Sequence, residues 1–290
     1  MHPDNAAEAP GVSRLPIRSG DRRRPPWGQH FLVDGAAIRR ILDAIGIGPG
    51  DPFLEIGPGR GALTLGLLER GARVHAVEID PRLAARLEQA LPGRERLRLI
   101  RGDVRRLDLA RLLADLAAAS DRAAARAVGN LPYHAATAIL ERFLAPGLPI
   151  RDLHFMFQEE VADRIAAPPG DSAYGYLSAL CQAHLRAEIL LRLPPGAFRP
   201  PPAVHSAFLG LHPLPARGIP PGFPRLLRVA FASRRKTLEN NLRAATGASR
   251  ARVAVWIETA GLPPGARPQE ISADGFLRLA AGLGEAGVLV

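Results

Sequence analysis

The stretch Gly129-Asn130-Leu131-Pro132-Tyr133-His134 has the residue types to hold a flat ring that carries an amine. The Asn130 side-chain oxygen accepts a hydrogen bond from an exocyclic amine, and the Tyr133 ring stacks on the heterocycle that bears it. Pro132 fixes its own φ and has no N–H, which leaves nearby carbonyl groups free to face a ligand. A flipped adenine would fit this clamp. The alternative is a structural Pro-Tyr turn between a strand and a helix.

A glycine-rich loop nearer the N-terminus predicts a second ligand contact. The apolar run 52–56, which predicts a strand, leads directly into Gly57-Pro58-Gly59-Arg60-Gly61 and a predicted helix. This order of elements lets a nucleotide approach the backbone closely. The next predicted strand ends at Glu78, twenty-one residues after Gly57, where a carboxylate binds ribose hydroxyls in such folds. The combination predicts a nucleoside cofactor.

Two nucleoside cofactors compete for this loop. A dinucleotide favours the spacing G-x-G-x-x-G at a helix N-terminus, whereas this loop has G-x-G-x-G. Glu55, just before the loop, would disfavour a pyrophosphate but suits the ammonium group of a methionine moiety. The residues therefore favour S-adenosylmethionine over a nicotinamide dinucleotide. Asp103, after a later strand, is a candidate acceptor for the cofactor adenine N6, or else an ordinary turn aspartate.

The elements that must position these residues alternate between strand and helix. Such alternation calls for an α/β fold with a parallel sheet, and the candidate binding residues fall at the carboxyl ends of successive strands, where ligands bind in open sheets. Strands are predicted at 52–56, 74–78, 97–100, 125–128, 153–157, 188–193 and 207–211. Helices are predicted at 35–45, 62–70, 82–90, 107–116, 135–144, from 158 onward, and at 177–185.

The rest of the chain predicts a proline-stiffened loop and a basic helical region. Residues 198–206 form the loop, which would place Phe198 near the active edge of the sheet. Prolines and glycines between Pro213 and Pro224 predict a domain boundary. The basic segment 225–252, with eight basic residues and one acid, includes Arg234, Arg235 and Lys236 and predicts phosphate contacts. Helices are predicted at 226–233, 238–245, 250–258 and 273–283.

The composition favours a partner that is a polyanion. The net charge is +10 and the pI is near 11.1, as is typical of proteins that bind nucleic acid. Residues 1–26 are polar and carry five arginines, which predicts a flexible tail that touches phosphates. No apolar run approaches the ~20 residues that span a bilayer, no secretory signal is evident, and a single cysteine, Cys181, excludes an internal disulfide. We expect a cytoplasmic protein without membrane contact.

Taken in order, these motifs resemble those of the small-subunit (16S) ribosomal RNA adenine N6-dimethyltransferases, the KsgA/RsmA family. The similarity runs from about Trp27 to near the C-terminus. The motifs that carry it are Gly28-Gln29-His30-Phe31-Leu32, Glu55-Ile56-Gly57-Pro58-Gly59, Ala76-Val77-Glu78-Ile79-Asp80, Gly102-Asp103-Val104, Gly129-Asn130-Leu131-Pro132-Tyr133, Phe198-Arg199-Pro200-Pro201-Pro202-Ala203-Val204-His205-Ser206, and residues 231–238 with their Arg-Arg-Lys-Thr core.

The resemblance implies a Rossmann-like class I methyltransferase domain at 27–215 and a small all-α RNA-binding domain at 216–290. It implies dimethylation of two adjacent adenosines near the 3′ end of the small-subunit RNA, in the assembling small ribosomal subunit. His30 and His134 stand where members of the family commonly carry asparagine. By motif position, the residues implied to contact S-adenosylmethionine are Gln29, His30, Leu32, Glu55, Gly57, Gly59, Glu78, Asp103 and Asn130.

Adenine N6 is not basic, because its lone pair is delocalised into the ring, so the hypothesis needs no strong general base. Instead, the Asn130 oxygen and the Leu131 or Pro132 carbonyl accept the two N6 hydrogens, while Tyr133 holds one ring face and Phe198 the other.

The histidines show no metal-ligand spacing. We expect a monomer. The alternatives are a large-subunit RNA methyltransferase of the macrolide-resistance type, a ribosome-assembly factor that only binds, and a nicotinamide dehydrogenase.

Overall fold

The computed structural model describes residues 28–91 and 95–285, so the predicted N-terminal tail, residues 1–26, lies outside the described residues. Within them, the strands are β1 (Phe31–Leu32), β2 (Pro52–Ile56), β3 (Arg73–Glu78), β4 (Leu97–Arg101), β5 (Ala125–Asn130), β6 (Ile150–Gln158), β7 (Leu185–Leu193), β8 (Phe198–Arg199) and β9 (Ser206–Pro213). They form a seven-stranded sheet in the order β4-β3-β2-β5-β6-β9-β7 and a small sheet of β1 with β8.

The helices begin and end close to their predicted bounds, since capping residues mark their ends. Asp34 accepts hydrogen bonds from the N–H groups of Ala36 and Ala37 at the start of α1, and Gly46 ends that helix in the left-handed conformation. The helices are α1 (Gly35–Ile45), α2 (Ala62–Glu69), α3 (Pro81–Ala90), α4 (Leu109–Ala118), α5 (Tyr133–Phe143), α6 (Glu159–Ala166), α7 (Tyr176–Gln182), α8 (Phe223–Ala230), α9 (Leu238–Thr246), α10 (Arg250–Thr259) and α11 (Ala273–Glu285).

The predicted parallel sheet is confirmed for β2 to β6, which pair with one another only in parallel. The sheet is mixed as a whole, because β9 runs antiparallel between β6 and β7. All five residues of β2 are buried, as expected for a central strand covered by helices on both faces. The carboxyl ends of β2, β3, β4 and β5 therefore meet at one edge, and the loops that follow them carry the candidate residues.

A buried ion network holds the opposite edge of the sheet. Arg126, at the start of β5, is 2% exposed; it donates to Asp152 at 2.7 Å and to Asp51 at 2.9 Å. The same guanidinium donates to the carbonyl groups of Ile45 and Gly46 at the end of α1. A buried charge is tolerated where its partners satisfy it in this way. Arg126 is thus structural, and it fixes α1 against the sheet.

The four helices after β9 complete the described chain. Their buried side chains, such as Phe223 and Phe276, belong to the same core cluster as Phe155 and Phe157 of the sheet. The division into domains at residue 216 therefore stays a prediction. Residues 234–236 lie in a turn between α8 and α9, between the helices predicted at 226–233 and 238–245, and Thr237 caps the N-terminus of α9. No helix of the described residues is long and apolar enough to cross a membrane.

Candidate active site

A cavity lies at the carboxyl edge of the sheet, where the loops after β2, β3, β4 and β5 converge with the segment around β1. It brings together most of the residues that the sequence analysis singled out. The predicted residues that line the cavity are Gln29, His30, Leu32, Glu55, Gly57, Gly59, Glu78, Asp103, Asn130, Leu131, Pro132 and Tyr133. His134, Phe31, Arg60 and Arg105 line it as well.

Glu78 at the end of β3 shapes the glycine loop. Its carboxylate is buried and accepts hydrogen bonds from the N–H groups of Gly59 at 3.0 Å and of Asp80 at 2.9 Å. Gly59 has φ +57°, and a Cβ there would lie 3.1 Å from the Phe31 ring, so both the turn and the close approach favour glycine. Burial raises the pKa of Glu78, whereas its backbone hydrogen bonds lower it.

Glu55 lies one residue before the end of β2, with its side chain in the cavity wall. It is 2% exposed, and burial raises the pKa of its carboxyl group to about 7, although the hydroxyl of Thr64 donates to it at 2.7 Å. A carboxyl group in this state changes its charge near neutral pH. A cation placed beside it would favour the charged form, so Glu55 fits an ammonium ligand.

Asp103 follows β4 and carries two kinds of hydrogen bond. It caps the turn at Val104–Arg106 by accepting from the Arg105 N–H, and both its oxygens accept from the Arg105 guanidinium. The hydrogen bond from Arg105 lowers the pKa of Asp103. Asp103 is therefore an ionised hydrogen-bond acceptor at the cavity wall, and the Arg105 guanidinium already donates to it.

The Asn130 side chain has a single orientation because of its backbone partner. Its Nδ2 donates to the His30 carbonyl at 2.8 Å; since a carbonyl only accepts, Oδ1 is directed away from that partner. The preceding residue, Gly129, lets β5 approach β2, since a Cβ there would lie 2.6 Å from the Ile56 carbonyl. The close approach of these two backbones explains the glycine before Asn130.

Tyr133 is held on its ring face and at its hydroxyl. The His30 ring stacks on it with centroids 5.5 Å apart, and His30 Nδ1 is 2.8 Å from the Pro200 carbonyl. The Tyr133 hydroxyl is 2.6 Å from the Ser206 hydroxyl. Burial raises the pKa of Tyr133, so the phenol is neutral at physiological pH and is not a general base.

The structure does not bring Phe198 into the cavity. Phe198 is fully buried and pairs with Leu32 across the β1–β8 ladder, in a core cluster that also holds Leu193. The neighbouring core covers the Phe198 ring and leaves no exposed face for the predicted stacking contact with a base. Instead, Phe198 supports the segment that carries His30 and Phe31.

The basic triad lies outside the cavity. Arg234, Arg235 and Lys236 are exposed, and Arg234 donates to the Ser172 carbonyl at 2.6 Å. Sequence reasoning did not assign a role to Ser206, Arg60 or Arg105 individually. Arg60 lies in the glycine loop with its guanidinium 4.5 Å from the Phe31 ring centroid. In the sequence, the only indication that Arg60 and Arg105 belong to the site is that each stands next to a candidate residue in its motif.

The fold and the site together define a Rossmann-like class I methyltransferase. The sheet is mostly parallel, the glycine loop lies beside an acid at the end of the next strand, and the clamp that could accept an amine is uncharged. The comparison with known protein families agrees. The model of the family described as ribosomal RNA adenine dimethylase matches residues 20–280. The chain therefore belongs to the ribosomal RNA adenine dimethylase family.

Several curated relatives of this chain are named ribosomal RNA small subunit methyltransferase A. The protein from a Burkholderia species is 42% identical over 268 residues, which cover 90% of this chain and 92% of that protein. The protein from Pseudomonas aeruginosa is 41% identical over 269 residues, with 91% and 96% covered. These matches confirm the predicted family, enzyme class and cofactor: S-adenosylmethionine-dependent rRNA adenine dimethyltransferase.

Two solved structures are similar to this chain over most of its length. A dimethyladenosine transferase from Plasmodium falciparum superposes with a TM-score of 0.72 at 22% identity and covers 89% of this chain and 99% of its own. The 23S rRNA methyltransferase ErmE superposes with a TM-score of 0.64 at 25% identity, with 88% and 99% covered. The first likeness concerns the fold alone, and both confirm the predicted fold class.

Proposed function

We propose that this chain dimethylates N6 of two adjacent adenosines near the 3′ end of small-subunit ribosomal RNA, with S-adenosylmethionine as methyl donor, during assembly of the small subunit. The observation that carries the proposal is the orientation of Asn130, whose amide nitrogen is committed to the His30 carbonyl. The amide oxygen is thereby available to an amine in the cavity. The name shared by the curated relatives supports the small-subunit RNA as target.

The cavity residues fit the cofactor. We assign the ribose hydroxyls to Glu78, whose carboxylate is buried and already oriented by two backbone N–H groups. We assign the cofactor adenine N6 to Asp103 and the ammonium group to Glu55, with the backbone of Gly57 and Gly59 against the ligand. Gln29, His30 and Leu32 close the same cavity. When bound, S-adenosylmethionine supplies a methyl group on a positively charged sulfur.

The clamp residues make the target amine a better nucleophile without removing its proton beforehand. Asn130 Oδ1 accepts one N6 hydrogen. We assign the other to the Leu131 carbonyl, because the Pro132 carbonyl accepts from Ala135 at 2.9 Å, while no donor among the described residues reaches Leu131 O. In the first transfer, two acceptors in fixed positions localise the lone pair as the amine becomes pyramidal, and N6 releases one proton to water once it carries the methyl group. The methylated amine has one hydrogen left, which one of the two acceptors holds in the second transfer before that proton too is released to water. The base stacks on the Tyr133 face that His30 leaves open.

We place the RNA backbone on the exposed turn between α8 and α9. Arg235 and Lys236 have no ion-pair partner among the described residues, so their charges are available to phosphate groups. The unit 216–290 would thus be the RNA-binding part of the chain and 27–215 the methyltransferase part. We further propose that the protein acts as a monomer in the cytoplasm, where small subunits are assembled.

The test is methyl transfer from labelled S-adenosylmethionine to undermethylated small subunits, with large subunits and naked RNA assayed beside them. Dimethyladenosine in the small-subunit RNA alone is the expected result. Label on large-subunit RNA would place the chain with the resistance-type enzymes, and tight subunit binding without label would make it an assembly factor. Either result would contradict the proposal.

Replacement of the clamp amide tests the mechanism itself. Asn130→Ala should lower the methylation rate by about 100-fold or more, as loss of a preorganised hydrogen-bonding group does elsewhere. The matched control is Gln182→Ala, which also removes a side-chain amide that donates to backbone carbonyls, those of Ile165 and Ala167, remote from the cavity. Near wild-type activity of Asn130→Ala would overturn the assigned role.

A further inference from the structure

Ser206 is a buried polar residue at the edge of the active site. It begins β9, it is fully buried, and the only hydrogen bond of its hydroxyl among the described residues is to the hydroxyl of Tyr133, at 2.6 Å. The two residues are 73 positions apart in sequence. A buried hydroxyl needs a hydrogen-bond partner, and the partner of Ser206 is a tyrosine that lines the cavity.

The backbone of Ser206 is fixed more firmly than that of Tyr133. Ser206 pairs with Gln158 of β6 on one side and with Leu193 of β7 on the other, so its strand has neighbours on both edges. Tyr133 is the first residue of α5, after Pro132, and lies at a helix end, where fraying begins. The hydrogen bond therefore anchors a ring at a helix terminus to the interior of a sheet.

We infer that Ser206 is a positioning residue for methyl transfer, which holds the Tyr133 ring at the angle that presents a target base to Asn130 and the Leu131 carbonyl. This inference rests on the proposed function of the site. The His30 ring limits tilting of Tyr133 from one face, and the Ser206 hydroxyl fixes the far end of the ring. The stacking contact limits rotation of the ring about its long axis, and the hydrogen bond fixes the tilt of the ring and its distance from the sheet.

The orientation of the ring affects the rate more than it affects binding. A stacked base keeps most of its contact area when the ring rotates by a few degrees, whereas the two N6 hydrogen bonds depend on position to within a fraction of an ångström. Ser206→Ala should therefore lower kcat about tenfold and change the KM values for cofactor and subunit by less than about twofold.

The experiment compares Ser206→Ala, Tyr133→Phe and the double variant in the small-subunit methylation assay. Both single changes delete the same hydrogen bond, so their effects on kcat should be equal and the double variant should be no slower than either. The control is Ser178→Ala, another fully buried serine, whose hydroxyl donates to the Arg164 carbonyl outside the cavity. It should lower thermal stability without a change in kcat.

Each outcome decides one question. Wild-type kcat in Ser206→Ala, or multiplied losses in the double variant, would overturn the positioning role. A fall in kcat of the same size in Ser178→Ala would reduce the effect of Ser206 to general destabilisation and would also overturn it. The unmodified chain is assayed in parallel; if it forms no dimethyladenosine, the proposed function fails, whatever the variants show.

Discussion

Replacement of Glu78 by glutamine is the most direct test of the cofactor site. The two shapes are nearly the same, but the carboxylate has two accepting oxygens and the amide has one. In the structure, Oε2 accepts from the Gly59 N–H and Oε1 from the Asp80 N–H. A glutamine side chain would accept a hydrogen bond from one of these N–H groups and would point its own NH₂ group at the other. The change thus disturbs the glycine loop without a change in volume.

The expected change in the free energy of unfolding is the sum of opposing effects. A hydrogen bond to a charged group contributes about 1.5 to 3 kcal/mol, and a buried N–H without a partner costs a similar amount. Burial raises the pKa of Glu78, which means that desolvation already opposes the charge, so a neutral side chain recovers part of this loss. We expect a net loss of about 2 kcal/mol in the free energy of unfolding. Loss of a charged acceptor for the ribose should weaken cofactor binding about 30-fold.

Calorimetric titration with S-adenosylmethionine and thermal unfolding measure the two effects separately. The matched control is Glu88→Gln on α3, because Glu88 is exposed and its only described partner is Arg101; an exposed pair of this kind contributes at most about 1 kcal/mol. Wild-type cofactor affinity in Glu78→Gln would refute the assignment of Glu78. An equal loss of affinity in Glu88→Gln would show that the effect is not local.

Two further predictions concern RNA binding and pH. Replacing Arg235 and Lys236 together by glutamine should weaken binding to small-subunit RNA and reduce the slope of log K against log salt by about 2, and an unchanged slope in a salt titration would contradict the phosphate contacts. Burial, together with the nearby Arg126, His212 and Arg151, lowers the pKa of His154 to about 4, while the carboxylate of Asp152 opposes the shift. Because the unfolded chain binds that proton at higher pH, His154 should lower stability by up to about 3 kcal/mol as the pH falls from about 6.5 to 4. Glu55, whose pKa is raised to about 7, has the opposite sign in this range. The His154 contribution is therefore measured as the difference between the unmodified chain and His154→Leu in urea unfolding, which should change by that amount across the range, unlike the difference for His205→Leu at an exposed position.

The sequence predicted the elements that have a strong local signal. β2 and α1 have the predicted bounds, 52–56 and 35–45, because an apolar run before a glycine loop and an aspartate cap before an amphipathic segment are local patterns. The two-residue strands β1 and β8 are too short to show any period. The antiparallel insertion of β9 between β6 and β7 depends on pairing between distant segments, which no local pattern records.

The same distinction between local patterns and contacts of distant segments applies to the candidate site. Glu78 and Asn130, which end strands and line the cavity, were predicted as site residues from their place at strand ends. Ser206 was not, because its importance lies in a contact with Tyr133 across 73 positions. Phe198 was misplaced for a related reason: an aromatic residue in a loop motif gives no sign of whether the core covers it, and here it is fully buried.

The polar groups of the site are oriented mainly by backbone atoms of this chain. The His30 carbonyl orients Asn130, and the N–H groups of Gly59 and Asp80 orient Glu78. Backbone partners cannot be lost by a side-chain rotation, so the site keeps its geometry at little entropic cost when a ligand binds. This arrangement suits a reaction on a weakly nucleophilic amine, because Asn130 and the Leu131 carbonyl offer neutral acceptors in fixed positions. Position, more than acid–base strength, then determines the rate, and for that reason a buried serine that only holds a tyrosine ring in place matters for catalysis.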